Sequence, residues 1–324
     1  MNIKKIGLTA LAGSLVATSA FAGAISVSGG ASLNVEHTNG GAANSGKTFS
    51  MGNQLTFTGG GELDNGLNVS VSFVLDQGDD KGTTTAADDN AGAPFDNHSL
   101  SVGSDTFGTL VFHGEGGESA ESALDTTAAG NIWDNFDGAS DLTVKTSAKE
   151  DNMIVYTLPT LMDGVKLDAS YVPSKSGKPS ATAYAVTYTG IDGLTIAAGK
   201  GDGNVANTTV DVTTIKVSYA YGPVTVGYST HDYDHTTATS DQETNSWKVS
   251  YTVSDELSIS YGAEKIDDGA SASVEDGEYA SISAAYTAGG MTISAARETG
   301  DNIDGTATAT KDRERWALSA SFAF

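Results

Sequence analysis

Seven carboxylates of the segment 115–150 precede its first lysine, Lys145. Carboxylates at this density can form a negatively charged wall, and rings of one charge sign select ions and orient polar solutes. A solvated acidic loop at the protein surface is the alternative, and the residue types alone do not separate the two. The seven are Glu115, Glu118, Glu121, Asp125, Asp134, Asp137 and Asp141.

Three lysines, Lys166, Lys216 and Lys248, each stand between two apolar residues in a run that alternates apolar and polar side chains. Neighbouring side chains of a β-strand point to opposite faces, so each lysine lies on the face opposite its apolar neighbours. If the apolar face meets lipid, a lysine there would cost about 2–4 kcal/mol at the membrane midplane. The lysines should therefore face inward, either as a basic wall opposite the acidic segment or as polar positions remote from it.

Acidic pairs in other connections could bind Ca²⁺, which takes oxygen ligands. They lack the full ligand set of a dedicated calcium loop, so solvated acidic loops are the main interpretation and loop-bound calcium the alternative, with no metal site assigned. Calcium bridging to anionic lipopolysaccharide would be one use. The pairs are Asp79 and Asp80, Asp88 and Asp89, Asp232 and Asp234, and Asp267 and Asp268.

No catalytic residues and no cofactor are predicted. The five histidines are scattered along the chain, and no Gly-x-Ser-x-Gly motif of a serine hydrolase occurs. An enzyme built on a barrel, such as a lipase, would need a Ser–His pair that the sequence does not single out.

The composition excludes further classes of protein. The 41 acidic and 17 basic residues give a formal charge of −24 at pH 7. Nucleic-acid binding is therefore not expected, because phosphates require a basic face. The absence of cysteine excludes a disulfide scaffold. Hydrophobic residues make up 39% of the chain, which is little material for a large dry core.

The N-terminus has the pattern of a cleaved secretory signal peptide over residues 1–22. Lys4 and Lys5 precede a short apolar run, and Ala20-Phe21-Ala22 supplies the small residues of a cleavage site. Removing these residues leaves 23–324 with a formal charge of −26, from 15 basic and 41 acidic residues. This predicts an exported protein.

The remaining chain alternates apolar and small polar residues with a period of two, which predicts an all-β fold. Turn residues such as Asp64-Asn65-Gly66 separate the alternating runs. About sixteen strands are predicted, at 25–36, 49–62, 67–76, 97–103, 109–114, 151–158, 165–171, 182–188, 194–200, 209–220, 224–231, 246–251, 257–266, 279–286, 291–298 and 313–324.

The connections between these strands alternate between long and short. Residues 77–96 and 115–150 are long connections, whereas 63–66 and 222–223 are tight turns. A transmembrane antiparallel β-barrel has short turns at one end and long loops at the other. A soluble sandwich gives no reason for connection lengths to alternate in this way. The pattern predicts such a barrel over 23–324, with 115–150 as the candidate constriction loop. A secreted β-rich surface or adhesin-like binding protein is the alternative.

The last strand and several turns resemble those of Gram-negative general porins. The chain ends in Phe324 at the close of an alternating strand, as the last strand of that family ends in an aromatic residue. Residues 62–67 resemble its first periplasmic turn, 105–109 the turn before its fifth strand, and 152–156 its sixth strand.

This resemblance implies a sixteen-stranded barrel, a homotrimer and a third external loop folded into the lumen. The sequence departs from the family in having three arginines, Arg297, Arg313 and Arg315, so an arginine-rich constriction wall is not expected. The resemblance implies an outer-membrane porin, a water-filled channel for passive diffusion of small hydrophilic solutes and ions. The formal charge predicts a preference for cations. Its expected partners are these solutes and cations, outer-membrane lipid and lipopolysaccharide. A solute-specific channel is the alternative.

Overall fold

The computed structural model describes residues 25–40, 46–76, 95–136, 142–175, 177–203, 205, 208–237, 240–269, 275–306 and 312–324. The predicted signal peptide lies outside these residues, and so do Asp79, Asp80, Asp88 and Asp89. Within the described chain, sixteen strands pair in sequence order as one closed antiparallel barrel. The predicted all-β barrel is confirmed, and each predicted strand has a counterpart in it.

Most of the observed strands are longer than the predicted ones, mainly at the end of the barrel that carries the long connections. Their bounds are β1 (Ser26–Asn39), β2 (Gly46–Glu62), β3 (Asn68–Asp76), β4 (Asn97–Ser104), β5 (Gly108–Glu115), β6 (Met153–Thr157), β7 (Val165–Val172), β8 (Ala181–Ile191), β9 (Leu194–Asp202), β10 (Val210–Tyr221), β11 (Val224–His235), β12 (Gln242–Thr252), β13 (Leu257–Asp268), β14 (Gly277–Ala288), β15 (Met291–Asp301) and β16 (Arg313–Ala323).

The barrel closes where β1 pairs with β16, with Leu33 opposite Ala320. The C-terminal residue takes part in this seam, because Phe324 N donates to Gly29 O at 3.0 Å and Gly29 N donates to Phe324 O at 2.8 Å. A closed sheet has no unpaired edge, which is the condition for strands to lie in a lipid bilayer.

The two faces of each strand differ as the alternation predicted. In β10, Tyr219 and Tyr221 are exposed on the outer face, whereas Thr214 is fully buried on the inner face. Among the residues that the structure describes, the buried apolar side chains form separate clusters and no single central core. Their largest cluster includes Ile132, Phe136 and Ile266, and it lies where a loop packs against the inner wall.

The short connections are built by glycine at positions that require a positive φ. Gly66 has φ +80°, and the preceding Asn65 accepts a hydrogen bond from Leu67 N at 3.2 Å. Gly222 has φ +56° in the two-residue turn between β10 and β11. L-residues with a side chain rarely adopt this conformation, so these glycines set where the chain reverses.

Two 3-10 helices, Ser122–Leu124 and Ile132–Phe136, lie in the described part of the connection between β5 and β6. Among the described residues, no helix has the length and apolar character needed to cross a membrane.

Candidate functional site

The connection between β5 and β6, residues 116–152, is called the inner loop, because its described residues run along the inside of the barrel wall. Its backbone donates hydrogen bonds to small hydroxyl side chains on the inner face of distant strands. Ala120 N donates to Ser170 Oγ of β7 at 2.9 Å, and Ala129 N donates to Ser246 Oγ of β12 at 2.8 Å. The inner loop therefore occupies the lumen.

Glu264 of β13 holds the middle of the inner loop. Its side chain is 3% exposed, and its carboxylate accepts hydrogen bonds from Thr127 Oγ1 and, at 3.0 Å, from Trp133 N. The backbone N–H groups of Asn131 and Ile132 also point at this carboxylate. A buried carboxylate is retained only when such donors compensate its lost hydration, so the loop conformation and Glu264 depend on each other.

Glu121 lies on the loop itself and anchors it to the barrel wall. It is fully buried, with Oε1 accepting from Thr214 Oγ1 of β10 at 2.5 Å and Oε2 accepting from Ser147 N at 3.0 Å. The prediction that Glu121 belongs to a pore-facing acidic wall is therefore wrong. Its carboxylate accepts hydrogen bonds from β10 and from another part of the loop, and it does not reach the water of the lumen.

A glycine allows the inner loop to approach the wall closely. A side chain at Gly262 of β13 would place its Cβ 2.8 Å from Ala129 Cβ, closer than two such carbon atoms can lie. Further along, Phe136 packs near Tyr279 of β14, with ring centroids 5.9 Å apart. Close packing and hydrogen bonds together fix the position of the loop.

Glu115 also lies away from the lumen. The pairing of β4 and β5 shifts between His98 and Ser99, so that Glu115 stands opposite His98 while Ser99 stands opposite His113. The resulting irregularity turns Glu115 to the outward face, where its Oε2 lies 3.6 Å from His98 Nδ1. The prediction that Glu115 lines the pore is wrong for this reason.

The other predicted acidic residues divide into three groups. Glu118 and Asp134 are exposed on the inner loop, and Asp125 forms an ion pair with Lys149 at 3.3 Å. Partial burial raises the pKa of Glu118; the Asp125 carboxylate adds to this rise and Lys149 opposes it. Asp137 and Asp141 lie outside the described residues.

The structure places Lys166, Lys216 and Lys248 on the inner face. Lys166 Nζ lies 2.9 Å from Asp168 Oδ2, and Lys216 Nζ donates a hydrogen bond to the carbonyl of Thr126 in the inner loop. Lys248 stands between Gly227 and Gly262 in the strand register.

Lys216 and Lys248 therefore lie on the wall that carries the inner loop, since Gly262 contacts the loop at Ala129. The expected arrangement, in which the three lysines face an acidic loop across the channel, is not what the structure has. The lysines and the loop are neighbours, because the loop is bound along β7 to β13 by its hydrogen bonds to Ser170, Ser246 and Glu264.

A second charged cluster on the inner face was not predicted from the sequence. Arg315 of β16 forms ion pairs with Glu298 of β15 at 2.5 Å and with Glu36 of β1 at 2.7 Å. These residues join three consecutive strands at the closing seam. The signal that could have found Arg315 is its alternation with Trp316, whose outward orientation puts Arg315 inside.

The inner face of this seam also carries neutral polar groups. Ser319 Oγ of β16 donates to Asn34 Oδ1 of β1 at 2.6 Å, and Asn34 Nδ2 lies 3.4 Å from Ser50 Oγ of β2. The candidate site is thus a lumen narrowed by an anchored, partly acidic loop, with hydroxyl and amide groups on β16, β1 and β2.

Among the described residues, no three His, Asp or Glu side chains gather closely enough to hold a metal ion. Asp267 and Asp268 follow each other in β13 and so point to opposite faces, and Asp268 Oδ1 is paired with Lys145 Nζ at 2.5 Å. Loop-bound calcium stays an untested prediction.

Two salt bridges join the end of the inner loop to the connection after β7, and we expect acid to weaken them. Glu150 accepts hydrogen bonds from Lys175 Nζ at 2.8 Å and Lys178 Nζ, and these bonds lower the pKa of Glu150 from its ordinary value of 4.5. A carboxyl with a lowered pKa contributes stability above its ordinary pKa and loses it as the pH falls through the lowered value.

We therefore expect Glu150→Gln to speed backbone hydrogen exchange near Lys175 at pH 7, by a few-fold at most because both lysines are exposed. The difference between the variant and the unmodified protein should vanish well below pH 4.5, the ordinary value. Asp163→Asn, in a short turn at the other end, is the matched control. A difference that persists unchanged in acid would contradict this assignment.

Comparisons with known proteins agree on one architecture. A family model described as Gram-negative porin matches residues 7–324. The structure of an anion-selective porin from Comamonas acidovorans has 14% identity and a TM-score of 0.65, covering 93% of this chain and 99% of that one. A triple mutant of the Rhodopseudomonas blastica porin has 18% identity and a TM-score of 0.65, covering 93% and 100%. No curated protein sequence matches the chain.

Proposed function

Because this chain belongs to the Gram-negative porin family and is therefore an outer-membrane channel, we propose that it passes small hydrophilic solutes by passive diffusion and prefers cations. The observation that carries the cation preference is that three basic groups inside the barrel are each paired with a carboxylate, while Lys216 is bound to a backbone carbonyl. Arg315 is held between two carboxylates, Lys166 lies beside Asp168, and Lys149 lies beside Asp125.

Paired cations contribute little net positive potential to the lumen, whereas Glu118 adds negative charge on the exposed side of the inner loop. The predicted mature charge of −26 acts in the same direction over a longer range. The neighbour from Comamonas acidovorans is described as anion-selective. At 14% identity that structure informs the fold alone, so the ion preference of this chain rests on its own side chains.

The proposal is tested by the reversal potential of reconstituted channels in an asymmetric KCl gradient. We expect a sign that corresponds to K⁺ passing more readily than Cl⁻. The preference should be larger near 0.1 M salt, where the Debye length is about 10 Å, than near 1 M, where it is about 3 Å. A clear preference for Cl⁻ would overturn the cation assignment, and an absence of conductance would overturn the channel itself.

Neutralising the lumenal acids should identify the groups responsible. We expect the triple substitution Glu118→Gln, Asp125→Asn and Asp134→Asn to lower the K⁺/Cl⁻ permeability ratio roughly twofold or more, because it removes three carboxylates near the ion path. The matched control removes three carboxylates from the outward face, at Glu115, Glu243 and Glu278. If both triple variants shift the reversal potential equally, the inner loop does not set the selectivity.

Further proposals follow from the family. Residues 1–22 would be cleaved on export, and the mature chain would assemble as a homotrimer in contact with outer-membrane lipid and lipopolysaccharide. Heat-modifiable migration on gels and the mass of the detergent-solubilised complex test the folded trimer. Sequencing the N-terminus of the protein isolated from membranes tests whether cleavage occurs before Gly23.

A further inference from the structure

A cavity of about 560 Å³, large enough for a small organic solute, lies inside the barrel between the inner loop and β4 to β8. Small-molecule sites typically occupy about 300–1,000 Å³ and combine apolar walls with a few convergent polar groups. The inner loop contributes Glu118 to this cavity, and β7 contributes Lys166 and Asp168.

The two sides of the cavity offer charges of opposite sign to a solute. Asp168 is fully engaged, since Oδ1 accepts from Thr157 Oγ1 at 2.5 Å and Oδ2 lies 2.9 Å from Lys166 Nζ. The Lys166 side chain is nevertheless 59% exposed, and an ammonium group has three donors. Asp168 thus orients the ammonium of Lys166 and leaves donors of that group for a second acceptor.

Glu118 supplies the negative charge on the other side of the cavity. Its carboxylate is exposed toward the cavity, and Asp125 on the same loop repels its negative charge. A solute ammonium placed beside Glu118 would relieve this repulsion. Between the charged groups, Val155 of β6 and Leu124 of the loop supply apolar surface for a short side chain.

We propose that this cavity is a binding site for small zwitterionic solutes of the amino-acid and short-peptide class. The solute ammonium binds Glu118 and the solute carboxylate binds Lys166. The inference rests on the proposed channel function and names a solute class for the same lumen. A solute that carries one of these charges loses one of the two contacts, so the site distinguishes zwitterions from ions of either sign.

The test measures how dipeptides change the ion current through reconstituted wild-type channels. The probes are alanyl-alanine, N-acetyl-alanyl-alanine, which lacks the ammonium, and alanyl-alanine amide, which lacks the carboxylate. We expect alanyl-alanine to bind about tenfold more tightly than either blocked peptide, as one charge-assisted hydrogen bond would provide.

Two variants assign the contacts. Glu118→Gln should make alanyl-alanine and its N-acetyl form bind equally, and Lys166→Gln should make alanyl-alanine and its amide bind equally. Glu243→Gln and Arg297→Gln change charges on the outward face, outside the cavity lining, so both should keep the wild-type ratios. Heat-modifiable migration checks that each variant is folded.

Equal effects of all three peptides on wild-type channels would overturn the inference and leave the channel function standing. Loss of discrimination in the two control variants as well as in the two site variants would also overturn it. Channels that carry no ion current would contradict the proposed function, and the inference with it.

Discussion

Glu264→Ala is expected to release the inner loop from β13 and to raise the single-channel conductance, while the sixteen-stranded sheet stays intact. The substitution removes the acceptor for Thr127 Oγ1 and Trp133 N, and both donors lie in a site that is almost sealed from water. A buried donor left without an acceptor costs about 1–3 kcal/mol. The loop can avoid this cost by moving into the lumen water, where its donors are hydrated.

Conductance recordings and limited proteolysis of the folded protein measure this release. We expect wider openings or frequent switching between levels, together with new cleavage between residues 125 and 136. Glu264→Gln keeps one carbonyl acceptor and should show a weaker effect. Glu278→Ala, on the outward face of the adjacent strand, should leave both measurements unchanged. Wild-type conductance and cleavage in Glu264→Ala would show that packing alone holds the loop.

The second large effect is expected at the closing seam, where Arg315→Ala should destabilise the barrel by about 3–5 kcal/mol. The Arg315 side chain is 11% exposed and that of Glu298 is 6% exposed, so the substitution leaves a buried carboxylate without its counter-ion. Glu36 of β1 loses the same partner, which weakens the contact between the first and last strands. The measurement is urea unfolding of the protein in lipid vesicles.

Arg297→Ala is the matched control for this prediction. Arg297 also pairs with a glutamate across β15 and β16, at 2.9 Å from Glu314, but the two side chains are 66% and 52% exposed on the outer face. Exposed ion pairs contribute about 0–1 kcal/mol, so Arg297→Ala should change stability little. Equal losses in the two variants would mean that the inner position of Arg315 has no special role.

The strands and the orientation of their side chains follow from local sequence. A period of two assigns each residue of a strand to one face, so the inward position of Lys216 and the outward position of Tyr219 are both readable without a structure. The same rule would have placed Arg315 inside. Its partners Glu36 and Glu298 could not be found this way, because strand register and barrel closure bring together residues that lie far apart in the chain.

The inner loop shows where local sequence stops being informative. Glu118 and Glu121 are three residues apart with the same chemistry, yet the first is exposed in the lumen and the second is fully buried. The loop has no repeating geometry to assign them to faces. Their environments are set by Thr214, Ser147 and other groups from distant segments.

The sequence by itself determined an acidic, sixteen-stranded barrel with a long acidic connection after its fifth strand. The tertiary structure alone decided which carboxylates are available to a solute. Glu121 and Glu264 bind the loop to the wall, Glu115 turns to the outer face, and Glu118 faces the lumen. A carboxylate keeps its charge exposed to water only where no donor from the folded chain reaches it, and that depends on the path of the whole loop.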